Sequence, residues 1–135
     1  MVTLLLEQKN RSNVINGRDG SGRSPLFISV MKGKIEIAQM LLNKGADVNA
    51  CTVNGASPLH AAATCADVSM CQILLQCGAE VDSQDIAGLT PLFIAVQMSN
   101  VQVARCLLLN GADPEACNFF RCNPILVASV MGGSD

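Results

Sequence analysis

Ser57-Pro58-Leu59-His60 is followed at a distance by Leu74-Leu75 and then by Gly78-Ala79-Glu80. The same marks stand 33 residues earlier as Ser24-Pro25-Leu26-Phe27, Leu41-Leu42 and Gly45-Ala46-Asp47, and 33 residues later as Thr90-Pro91-Leu92-Phe93, Leu107-Leu108 and Gly111-Ala112-Asp113. A decayed fourth copy opens at Asn123-Pro124-Ile125-Leu126, so Pro25, Pro58, Pro91 and Pro124 keep one spacing throughout. Such a fixed period marks a repeat architecture. Each tetrad reads as a helix start: the hydroxyl or amide residue can cap free backbone N–H groups, and proline is tolerated at the first helical position. Gly45, Gly78 and Gly111 suit helix ends that turn through the left-handed region.

Between these marks Ile35, Ile37, Ala38, Leu41 and Leu42 form an apolar stripe at helical spacing. It recurs as Val68, Met70, Cys71, Leu74 and Leu75, and as Val101, Val103, Ala104, Leu107 and Leu108. These positions are expected to be core, joining one helix pair to the next so that no unit buries its apolar face alone.

A 33-residue unit with Thr/Ser-Pro-Leu-His, a leucine pair and Gly-Ala-Asp-x-Asn resembles the ankyrin repeat. The resemblance implies an all-α solenoid of stacked antiparallel helix pairs joined by β-turn fingers. Complete units cover 18–50, 51–83 and 84–116, with a partial unit at 1–17 and a truncated one at 117–135. In the partial unit Leu4-Leu5-Leu6 stand for an apolar helix face and Val14-Ile15-Asn16 echoes Asp47-Val48-Asn49, with three residues inserted between. The fourth unit stops at Gly132-Gly133-Ser134-Asp135, where a second helix would begin, so its end is expected to fray and the chain reads as a piece of a longer protein.

Two departures from the family pattern carry physical consequences. The family histidine is kept only as His60, with Phe27, Phe93 and Leu126 in its place elsewhere; the resemblance gives it a structural role, bonding backbone groups between units. The glycine between the two helices of a unit is kept at Gly33 and Gly132 but becomes Ala66 and Ser99, which implies local backbone strain of about 1 kcal/mol per site if a left-handed turn is required there.

Composition bounds the function. Half of the 135 residues are apolar, enough for a substantial core. Residues 1–50 carry seven basic and four acidic side chains, whereas residues 51–135 carry two and seven, so most of the chain cannot line a phosphate backbone and nucleic acid is not expected as a ligand. No signal peptide and no apolar run near the length of a membrane span is present, so the chain is expected in the cytoplasm and also in the nucleus. Seven cysteines, an odd number, read as reduced thiols of an intracellular protein.

No residue pattern calls for catalysis or a cofactor. A Ser-His-Asp site would have to use His60, and Cys65 lies five residues from it, off its helical face. The glycine-rich segment Gly17-Arg18-Asp19-Gly20-Ser21-Gly22-Arg23 lacks the Gly-Lys-Ser/Thr ending of a phosphate loop and fits a finger turn, with Asp19 and Gly22 matching Asp-x-x-Gly. Cys65, Cys71 and Cys77 recur at intervals of six, without the close pair of a structural zinc site, so no metal is expected.

What remains is a surface. The resemblance assigns partner contacts to the fingers and the first helices, which line a concave face, and so to Arg23, Met31 and Lys32, then Val53, then Ile86, Leu89 and Met98, then Phe119 and Phe120. That face passes from basic to apolar, the mark of a protein partner with an acidic edge and an apolar centre. Phe119 and Phe120 either seat a partner, fold over the end of the core or pack on a further unit. The expected function is a monomeric protein-interaction module of an adaptor or scaffold. One alternative is the substrate-recognition region of a ubiquitin-ligase adaptor, by similarity to SOCS-box ankyrin proteins. Another is a regulatory array attached to an enzyme or channel.

Overall fold

The computed structural model describes residues 15–114. Six helices follow one another: α1 (Pro25–Met31) and α2 (Ile35–Asn43), α3 (Pro58–Thr64) and α4 (Val68–Gln76), α5 (Pro91–Gln97) and α6 (Val101–Leu109). Their starts repeat at the proline period, and no strand occurs among the described residues. Helices of seven and nine residues are too short to persist alone. Each therefore relies on its neighbours: a first helix packs on its own second helix and on the next first helix, and the second helices form a parallel layer behind them.

Local chemistry sets the starts of the first helices and the ends of all six. Ser24, Ser57 and Thr90 accept from the amides of Phe27, His60 and Phe93, and a proline follows each. Every helix ends with a residue of positive φ just past its cap, and the next amide reaches back into the last turn, as Ala46 N–H does to the Leu41 carbonyl (2.9 Å) and Ala79 N–H to that of Leu74 (3.0 Å). Gly45, Gly78 and Gly111 take this place on the second helices with φ of 99°, 96° and 94°. On the first helices the place belongs to Gly33 and, at φ 58° and 61°, to Ala66 and Ser99, so the strain implied by the sequence is present.

The core repeats with the same period. Leu26, Leu59 and Leu92 are fully buried, as are Leu74 and Leu107, with Leu41 nearly so. Ala38 and Cys71, register mates on the second helices, are fully buried in the same core. Three stripe residues depart from expectation: Ile37, Val101 and Leu108 are exposed. A second helix shows one flank to the preceding unit and the other to the following one, which is why Met70 and Val103, register mates of Ile37, are buried and why Ile35, Leu42, Val68 and Leu75 rest against the core.

Candidate functional site

The fingers are closed by one side chain each. Asp19 Oδ1 accepts from the amides of Ser21 and Arg23 (both 2.9 Å), and Asp85 Oδ1 from those of Ala87 and Leu89 (both 2.9 Å). In the second unit Thr52 takes over with its hydroxyl at 3.3 Å from the amides of Asn54 and Ala56. Gly22 and Gly55, at φ 78° and 79°, complete the turns, and a Cβ there would lie 2.7 Å from Val53 N and 3.0 Å from Ile86 N. That clearance lets successive fingers bond: Val53 N–H donates to the Ser21 carbonyl (3.0 Å) and Ile86 N–H to that of Asn54 (2.9 Å).

This backbone joint fixes the finger tips. Val53 and Ile86, 68% and 69% exposed, occupy the same register position and project from adjacent tips. A second row runs along the ends of the first helices, where Met31, Lys32, Thr64, Cys65, Gln97 and Met98 are all exposed. Two candidates stand differently from the sequence reading. Arg23 is engaged, its Nε donating to Asp19 Oδ2 at 2.9 Å, and the Arg23 amide, the Arg23 guanidinium and the Ser21 amide together hold the Asp19 carboxyl below its usual range. Its charge therefore serves the finger. Leu89 is half-buried, and its carbonyl is taken by His60. Lys32 is exposed at the cap of α1. Phe119 and Phe120 lie outside the described residues, as do Leu4, Leu5, Leu6 and Gly132.

His60 is buried and committed at both ring nitrogens. Because the Ser57 backbone N–H can only donate, Nδ1 (3.1 Å) accepts, with the Ser57 hydroxyl 2.8 Å away; Nε2 therefore carries the proton and donates to the Leu89 carbonyl at 2.7 Å. Burial lowers its pKa, against smaller opposing contributions from the Leu89 bond and the Asp85 charge. A ring with no free lone pair cannot serve as a base. Phe27 and Phe93 bury a ring at the same register position without these bonds.

A further ladder escaped the sequence reading although its members are 33 residues apart. Asn49 accepts from the Glu80 amide (2.8 Å) and donates to the Gly78 carbonyl (3.3 Å). Asn16 does the same with Asp47 (2.8 Å) and Gly45 (3.5 Å). Asp82, their successor, accepts from the Asp113 amide at 3.0 Å and has no N–H to offer to Gly111. The recurrence of Asn16, Asn49 and Asp82 at the repeat period was the available signal.

The thiols divide by burial. Cys71 and Cys106 are buried, and burial pushes the Cys71 thiol up to about 12 and raises that of Cys106. Cys51 is raised for the same reason, while Cys65 and Cys77 are exposed. Among the described residues no group of three or more His, Cys, Asp or Glu is placed to hold a metal ion. No described helix is long and apolar enough to cross a membrane.

A period of one turn finger and two antiparallel helices, stacked in register, defines a helical repeat protein. Comparison with known families agrees: the profile described as ankyrin repeats, in three copies, matches residues 1–85 and 49–118, and the chain belongs to the ankyrin-repeat family. It is also similar, at 44% identity over 45 residues, to the transient receptor potential cation channel subfamily A member 1 of Drosophila melanogaster. That match takes in 33% of this chain and 4% of the channel protein.

Proposed function

We infer that the chain is a protein-interaction module, acting as a monomer in an intracellular adaptor or scaffold and holding its partner across the finger tips and first-helix ends. The observation that carries this reading is the pair Val53 and Ile86: two large apolar side chains, each more than two-thirds exposed, held at one register position by the backbone bonds beneath them. An apolar row of this kind, with Met98 and Met31 beside it, supplies the buried centre of an interface, and Lys32 supplies a cationic edge that steers an acidic partner. Substrate recognition for a ubiquitin-ligase adaptor is a narrower form of the same reading, supported by the cysteine-rich units.

A second reading has its own support. The likeness to an ion-channel subunit, confined to a little more than one repeat unit, favours a regulatory array that binds a neighbouring domain of its own polypeptide. Both readings place the chain in the cytoplasm, with the nucleus as an alternative for the first.

The test compares purified partner, recovered by affinity capture, against the original chain and Val53→Ser/Ile86→Ser, with thermal melts alongside. Binding at least tenfold weaker at an unchanged melting temperature is expected. Equal binding would remove the finger tips from the interface. Lys32→Glu is the charge variant of choice, because Arg23→Glu would set a second carboxylate against Asp19 and disturb the finger itself.

A further inference from the structure

His60 is the one side chain in the described residues that ties a helix cap and a neighbouring finger together. Its ring takes the Ser57 amide on one nitrogen and gives a proton to the Leu89 carbonyl on the other, so the start of α3 and the base of the third finger share a single imidazole. The second finger has no such tie, since Phe27 stands at the matching place in the first unit. We propose that His60 is an acid-sensitive latch: neutral, it closes the α3 cap onto the third finger, and a second ring proton releases both.

In the closed form that proton displaces a bond that the cap needs: among the described residues the only acceptor within reach of Nδ1 is the Ser57 hydroxyl at 2.8 Å, which already accepts from the His60 amide. Even with the hydroxyl accepting, the Ser57 N–H, 3.1 Å from Nδ1, is left as a buried donor facing a donor. The surroundings give little compensation: α1, α3 and α5 contain no charged residue, α4 contributes only the Cys71 thiol, and the charge that acts on the ring is Asp85, whose Oδ1 is already occupied by the amides of Ala87 and Leu89. Protonation therefore favours the open form, in which the Ser57 N–H and the charged ring are both hydrated. The sign follows: burial lowers the closed-state pKa, so the latch is fully effective above the free imidazole value of about 6.5 and weakens as the pH falls below it.

Released, the third finger keeps the Ile86 bond to the second finger but loses its anchor at Leu89. Ile86 and Leu89 are candidate contacts, so partner affinity would fall on acidification; that consequence rests on the concave-face reading, whereas the latch does not.

Backbone amide hydrogen exchange of the free chain at pH 7.5 and 5.0, corrected for intrinsic rates, tests the latch without a partner. The opening constant at Ser57 and Leu89 should rise by up to about 30-fold at the lower pH, the ratio set by an open-state pKa near 6.5. The amides of Ser21 and Arg23 are the internal control: they rest on Asp19 as Ala87 and Leu89 rest on Asp85, so any carboxylate effect appears in both fingers. His60→Phe, which places at this register position the ring that Phe27 and Phe93 already place there, should flatten the pH response. A constant ratio of third-finger to first-finger exchange overturns the proposal, as does a response that persists in His60→Phe. Should that substitution unfold the chain, the wild-type ratio decides alone.

Discussion

Ala66 and Ser99 sit at φ 58° and 61°, where Gly33 of the first unit sits at 69°. An L-residue in that region costs about 1–2 kcal/mol, and a glycine there gives back about 0.4–1 kcal/mol through the flexibility it adds to the unfolded chain. A Cβ at Gly33 would meet nothing within 4 Å, so at that position the cost of a side chain is the backbone's alone. Ala66→Gly and Ser99→Gly should each stabilise the chain by roughly 0.5–1 kcal/mol, read as a shift of the urea midpoint at constant slope. The ladder gives a second residue-scale expectation. Asp82→Asn restores a donor toward the Gly111 carbonyl, which a net hydrogen bond values at about 0.5–1.5 kcal/mol, while Asn49→Asp should cost a similar amount by losing the bond to Gly78.

At the scale of the element, first-helix starts and all helix ends carry chemistry that recurs with the period, and this is why the helices were legible. Ser-Pro and Thr-Pro starts, leucine pairs and Gly-Ala ends are strong local signals that repeat three times, and the cost of the missing glycines at Ala66 and Ser99 could be named from the same register. What stayed hidden lies between elements. The pairing of Arg23 with Asp19 forms inside a turn, where i, i+4 contact follows from finger closure and not from helical spacing. Periodicity along one helix does not separate the exposed Ile37, Val101 and Leu108 from the buried Met70, Val103 and Leu74. Register also exposes an oddity in α6: Leu109, 82% exposed, replaces Asn43 and Gln76 of the earlier units, and nothing in the structure explains it. The second helices also sort the thiols. A maleimide added to native protein should label Cys65 and Cys77 first, with Cys71 and Cys106 reacting only on unfolding, because buried thiols of raised pKa hold almost no thiolate at neutral pH.

Across the whole molecule, the residues that hold the array together are distinct from those it offers outward. Leu74 lies at the centre of the stack, fully buried between second helices, and its truncation in Leu74→Ala should cost about 2–5 kcal/mol of stability, with any loss of binding appearing only as the chain unfolds. Val53, Ile86, Met31 and Met98 are exposed along the fingers and first-helix ends and can change without unstacking anything. The charge asymmetry of the sequence acts at this scale too, although the pairing of Arg23 within its finger leaves Lys32 to carry more of the basic edge than the composition suggested. The most direct test of this division is amide chemical-shift mapping of the chain, titrated with its purified partner. Perturbations concentrated at Val53, Ile86, Lys32 and Met98, with Gln39 and Gln72 on the second helices unmoved, are the predicted result; perturbations centred on those second helices, with the finger tips silent, would contradict the account.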